Sequence, residues 1–323
     1  MKGYKILEFK DIQSGLEKYH RLGANPGLYL GFNSIKDFYS MREDGVTDWT
    51  GMPQSGKTEL LLECLYNTAA FYDKKHLLCV PDIGDAIEIM AILIHKHTGM
   101  TFEKKYENFI DLKTAYNASA WLLDKFHILE KIDESPNLSP VEFWEFAVEY
   151  KKEHDIFSAT IDSWKDMRHD YSKYGGTYAQ YLSNVLPIRN ALSQKHKIHF
   201  HTVIHPKTPR RSNTGELIHP QVDDMEGGAQ WNNSGKVIIS VHRKTFDSKV
   251  AEVQMLKVKP KAVGKRGFFA INFDVAKSRY FDINPENGGT VVYAQPIKSE
   301  SKLKPNKDFT TSINSLNDEG RIF

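Results

Sequence analysis

Very little in this chain of 323 residues would hold it together other than a packed core. It has two cysteines, Cys64 and Cys79, both at apolar positions of an expected helix and strand, which argues against a disulfide framework or a cysteine-built metal centre. No apolar run approaches the roughly 20 residues that cross a bilayer. Met1-Lys2-Gly3-Tyr4-Lys5 also lacks the apolar stretch of a secretory leader. The expectation is a cytoplasmic protein without membrane contact. An excess of one charge is missing too: 43 Lys and Arg against 41 Asp and Glu leave +2. Any nucleic-acid role must therefore come from local clusters. Such clusters occur at Lys207, Arg210 and Arg211, at Arg243 and Lys244, and at Lys257, Lys259, Lys261, Lys265 and Arg266, although groups of this size are also what a solvated face displays.

What the chain does have is a glycine loop. Gly51-Met52-Pro53-Gln54-Ser55-Gly56-Lys57-Thr58 fits G-x-x-x-x-G-K-[ST]. Glycines let the backbone turn tightly enough for successive N–H groups to face a phosphate, and the helix that follows adds its positive end. Within the loop, Gly51, Pro53, Ser55 and Gly56 shape the cradle, Lys57 brings a mobile charge, and the Thr58 hydroxyl suits Mg²⁺. The flanks agree. Val46 to Thr50 reads as a strand, and Leu60, Leu61, Leu62, Cys64, Leu65 and Ala69 as a buried helix. ATP and Mg²⁺ are the expected ligands.

Further along, strands His76 to Val80, Ile156 to Ile161 and Ile198 to Ile204 each deliver a polar residue: Asp82, Asp162 and His205. Helices are expected over 9–22, from Asp85, from Ser139-Pro140-Val141-Glu142 with its capping box, and over 178–194 with a kink at Pro187. From Thr101 to Asp155 the pattern is mostly helical. Runs at Val237 to Val241, Ala251 to Val258 and Phe268 to Phe273 read as hairpin-like strands. The fold class implied is α/β: a P-loop core with a mainly parallel twisted sheet, helices on its flanks, and antiparallel edge strands. On such a sheet ligands sit at the carboxyl ends of the strands, so Asp162 is expected to hold Mg²⁺ through water. Trp164, Tyr171, Tyr174 and Tyr178 suggest base stacking, though core packing explains aromatic residues more often, and 166–176 reads as a mobile loop. A metal cluster of His199, His201 and His205 is a weaker alternative.

The run Leu28 to Thr58, Ile161-Asp162-Ser163-Trp164, Val203-Ile204-His205-Pro206, Glu226 to Asn233, Val241-His242-Arg243 and Lys257-Val258-Lys259 together resemble the motifs of DnaB-like replicative helicases, most of all the Twinkle and phage primase-helicase branch. The likeness covers residues 9 to 282 in unbroken order, and no primase or zinc-binding region is expected ahead of it. It implies a RecA-like core that assembles into a ring, usually a hexamer, and hydrolyses ATP between subunits to move 5′ to 3′ on single-stranded DNA and unwind duplex. By position, Lys57, Asp82, Asp162, His205, Lys257 and Lys259 become the catalytic set, with Asp82 as base, His205 as γ-phosphate sensor, and Lys257 and Lys259 acting on the neighbouring subunit's site. Arg243 and Phe273 would sandwich the base; Lys207, Arg210 and Arg211 would meet DNA phosphates. Residues 1–25 form a linker helix that packs on the next subunit, 26–283 the ATPase domain, and 284–323 a polar tail that could recruit primase or polymerase. A phage origin would place the protein in the host's cytoplasm.

Two positions depart from the family pattern. Asp82 stands where most relatives have glutamate, pulling the carboxylate back by about 1.5 Å. Lys259 stands where many have an arginine, losing bidentate geometry. These departures keep a second reading open, an ATP- and DNA-binding ring that acts as loader or scaffold with weak hydrolysis. A small-molecule kinase is the third, but no arginine-rich lid is evident.

Overall fold

The computed structural model describes residues 5–25, 27–81, 85–207, 210–213, 215–245 and 247–283. Its strands are β1 (Val46–Thr50), β2 (His76–Cys79), β3 (Phe126–Ile128), β4 (Ser158–Ile161), β5 (His199–Ile204), β6 (Val237–His242), β7 (Val250–Val258), β8 (Gly267–Asp274) and β9 (Arg279–Asp282). They form one sheet in the order β3-β2-β4-β5-β1-β6-β7-β8-β9. Pairings from β3 to β6 are parallel, and those from β6 to β9 antiparallel. The expected α/β class with an antiparallel edge is what the chain adopts. β1 is central: Thr50 lies opposite Ile204 on one side and Ser240 on the other.

Helices α1 (Phe9–Leu22), α2 (Lys57–Tyr72), α3 (Ala86–Thr98), α4 (Leu112–Lys125), α5 (Pro140–His154), α6 (Tyr178–His196) and α7 (Gly228–Ser234) accompany the sheet. Side-chain alternation along the strands divides the core. Trp49, Ile239 and Val253 pack with Leu60, Leu65, Leu93 and Leu122 of α2, α3 and α4. Val46, Phe200 and Ile238 pack with Trp144, Leu182 and Trp231 of α5, α6 and α7. Local signals fix the helix starts: Asp85 accepts from the Glu88 N–H, and Ser139 with Glu142 closes a capping box. Pro187 sits inside α6 on its exposed side. None of the described helices is long and apolar enough to cross a membrane.

Some expectations need correcting. The mostly helical stretch from Thr101 to Asp155 also contains β3, too short to show a period of its own. The segment 166–176 begins at the end of one 3-10 turn, Trp164–Asp166, and contains a second, Tyr171–Tyr174. There Tyr171 stacks on His169 and meets Tyr178 and Tyr181 edge-on. Trp164 is buried among them, while Tyr171 stays partly exposed. His199 is bound to the Thr47 hydroxyl at 2.9 Å and His201 to Trp49 Nε1 at 3.2 Å; no group of three or more metal-ligating residues exists among the described residues. The region 284–323 lies outside them.

Asp48 of β1 is wholly buried and held by Arg189 of α6, Nη1 to Oδ1 at 2.5 Å and Nη2 to Oδ2 at 3.2 Å. Trp144 and Trp231 flank the guanidinium at 5.9 and 5.6 Å. Breaking such a pair from one side leaves an uncompensated charge. Arg189→Met should therefore cost about 3–5 kcal/mol, and removing both charges with Asp48→Leu added should cost less. Urea unfolding that finds the double variant no better than the single one would contradict this account.

Burial pushes His76 down to about 3 and His199 to about 4 from an ordinary 6.5. Below pH 6.5 the unfolded chain takes up protons that these rings refuse in the fold. Stability should then fall as pH drops from 6.5 toward 4, by about 1.4 kcal/mol per pH unit for each ring. Urea midpoints measured from pH 7.5 to 4.5 check this, and a flat profile would refute it.

Candidate nucleotide site

The carboxyl ends of β4, β5 and β1 finish side by side, because parallel pairing aligns them. The chain leaves β1 through the glycine loop and enters α2 at Lys57. Gly51 has φ +150°, and a Cβ there would lie 2.2 Å from the Val241 carbonyl oxygen. Gly56 has φ +89°, and a Cβ there would lie 2.4 Å from Tyr280 Oη. Both positions therefore need glycine for conformation and for space.

A cleft of about 650 Å³ opens over the loop, lined by Pro53, Gln54, Gly56, Lys57, Thr58, Glu59, Asp162, Lys165, His205, Arg243 and Phe273. Lys57 is buried and its Nζ donates to the Met52 carbonyl at 2.9 Å. Thr58 Oγ1 donates to Asp162 Oδ2 at 2.5 Å. Two hard oxygens this close at the end of a phosphate loop fit a small divalent cation such as Mg²⁺. At the other wall the Arg243 guanidinium lies 5.5 Å from the centre of the Phe273 ring. Arg243 Nη2 also donates to Tyr280 Oη, which in turn donates to the Gly56 carbonyl, each at 3.3 Å.

The structure thus gathers Gly56, Pro53, Lys57, Thr58, Asp162, His205, Arg243 and Phe273 around one cleft, with Gly51 and buried Ser55 behind it. Asp82 lies outside the described residues. Lys257 and Lys259 are elsewhere. Lys257 pairs with Ile238 near the start of β6, at the end of the sheet opposite the loop, and Lys259 N–H donates to the Lys236 carbonyl at 3.0 Å. Lys257 Nζ donates to the Asn232 carbonyl. Burial, with Lys259 and Lys236 nearby, pulls its pKa down. Lys207, Arg210 and Arg211 stand on a loop between β5 and α7, where Arg210 pairs with Asp224 at 2.5 Å and Arg211 donates to the Gly215 carbonyl at 2.7 Å. Sequence reasoning missed Glu59, Lys165 and Tyr280. Glu59 was open to inference from its place in the first turn of α2, but nothing local marks Tyr280, which arrives from β9.

The chain is 24% identical over 288 residues to the Twinkle homolog protein, chloroplastic/mitochondrial, of Arabidopsis thaliana; the match takes in 86% of this chain and 40% of that protein. No family model matches. Among solved structures, an isolated ATPase domain superposes with a TM-score of 0.69 at 14% identity, over 87% of this chain and 100% of that one. A DnaB-like replicative helicase, described with its interactions with primase, gives 0.67 at 14% identity, over 87% and 68%. The resemblance drawn from the motifs therefore reappears in both kinds of comparison. The chain carries a RecA-like domain similar to those of DnaB-like helicases.

Gly56→Ala should weaken nucleotide binding by about tenfold or more, since a left-handed φ and a blocked Cβ strain the loop together. Titration with a fluorescent nucleotide measures it; binding equal to that of the unaltered protein would mean that the cleft is not the nucleotide site.

Proposed function

We propose that this domain is the motor of a replicative DNA helicase that hydrolyses ATP in a ring of identical subunits, a hexamer in this reading, and moves 5′ to 3′ on single-stranded DNA. The observation that carries the reading is a division of labour across the sheet. The cleft at one end has a phosphate loop, a Thr58–Asp162 oxygen pair and an Arg243–Phe273 wall. The cations suited to phosphoryl transfer, Lys257 and Lys259, are at the opposite end. They serve a phosphate only if a second copy presents its cleft to them.

Two unpartnered apolar faces support assembly. α1 has no buried residue and exposes Phe9, Leu16, Tyr19 and Leu22. α4 exposes Leu112, Tyr116 and Leu123 along its outer side. In this reading residues 1–25 are the linker that docks on the next subunit, 26–283 the motor, and 284–323 a tail for primase or polymerase.

Thr58 and Asp162 would hold Mg²⁺, which supplies charge neutralisation at the phosphates. Lys57 leaves the Met52 carbonyl for a phosphate oxygen, and His205 beside it senses the terminal phosphate. Asp82 would orient the attacking water. Arg243 and Phe273 grip the base, while Lys207, Arg210 and Arg211 contact DNA phosphates, Arg210 after exchanging Asp224 for one. The protein works in the cytoplasm, a host's if it is phage-encoded. The shorter Asp82 and the point charge of Lys259 favour one alternative, a ring that binds ATP and DNA yet hydrolyses slowly.

Steady-state ATP hydrolysis with and without single-stranded DNA tests this, with Lys57→Ala as blank. Stimulation of about tenfold, or about 1.4 kcal/mol of barrier, is expected, together with loss of most turnover in Asp82→Asn. DNA binding without stimulation would instead favour the loader. Leu16→Asp should convert rings to monomers by analytical ultracentrifugation; unchanged assembly would remove α1 from the interface.

A further inference from the structure

A buried ammonium joins the two walls of the cleft. Lys96 of α3 is fully buried and carries its Nζ 2.6 Å from Glu59 Oε2 and 3.5 Å from Glu63 Oε2. It also donates to the Ser278 carbonyl at 2.7 Å, in the turn between β8 and β9. The same Nζ lies 5.8 Å from the centre of the Phe273 ring, to which Arg243 is the other cation at 5.5 Å. Glu59 lines the cleft one residue after Thr58. Glu63, fully buried behind it, is held by Arg279 of β9 at 2.6 Å, and Arg279 donates in addition to Asn67 Oδ1 at 3.0 Å. Two carboxylates of α2 thus face two cations, and the contacts run from the first turn after the phosphate loop to the hairpin that carries the aromatic wall.

A lysine without exposed surface has little reason to sit under an aromatic ring for packing alone, since a methionine would fill the space without desolvating a charge. What the charge adds is direction. It fixes the ring's electron-rich face and ties the β8–β9 turn to α2. We infer that Lys96 and Glu59 are a positioning pair that sets the Phe273 ring for a nucleobase and couples base binding to the phosphate loop. This rests on the reading of the cleft as a nucleotide site.

The test compares the affinities of the full-length protein for MgATP and for Mg-tripolyphosphate, which has phosphates but no base, by calorimetric titration. Lys96→Met should weaken ATP by about tenfold and tripolyphosphate by about twofold or less, so that selectivity for the base falls about fivefold. Lys96→Arg, which keeps the cation, should retain most of that selectivity. If Lys96→Met fails to fold by circular dichroism, Glu59→Gln replaces it, with a loss of selectivity of about threefold expected. Equal weakening of both ligands would reduce the pair to a structural role and overturn the inference while leaving the cleft's assignment standing. An unaltered protein that binds neither ligand would overturn the nucleotide reading itself, and the positioning pair with it.

Discussion

Parallel pairing of β1 between β5 and β6 is the constraint from which the site follows. Strands that run the same way finish at the same edge, so the loop after Thr50, the carboxylate after Ile161 and the imidazole after Ile204 are brought to one place by the sheet itself. The reversal at β7 has the opposite consequence. A chain that turns back antiparallel to β6 carries Lys257 away from that edge. One sheet thereby puts the glycine loop at one edge and Lys257 and Lys259 at the other.

How much of this was legible in the sequence depends on distance along the chain. The glycine loop, the strand ends at Asp162 and His205 and the capping boxes are local, and each was readable because a few adjacent residues carry the whole signal. Asp48 was readable as part of a strand but not as an ion, since its partner Arg189 is far off in sequence and the pair exists only once α6 crosses the sheet. Tyr280 and Lys96 escaped for the same reason: they meet the cleft's wall residues through tertiary packing from β9 and α3. β3 was lost inside a helical pattern because three residues cannot establish an alternation.

The buried polar groups follow one rule on both faces of the sheet. Asp48 with Arg189, Glu63 with Arg279 and Lys96 with Glu59 are matched as ion-pair partners, Arg189 opposing the burial that pushes the Asp48 carboxyl up, while His76, His199 and His201 are held away from their charged forms by burial. Opposite charges are placed together where charged side chains are buried, and burial alone disfavours the proton on the histidines. The paired ions span separate elements, so they fix how helices sit on the sheet rather than how tightly the core is filled.

α1 stands apart from all of this. Its 14 residues make no buried contact, and an isolated helix of about that length is only marginally stable in water. Its order must be supplied by whatever surface covers its apolar stripe. If a second copy supplies that surface, as proposed above, the protein's helix content would depend on its concentration, and dilution would melt the first element.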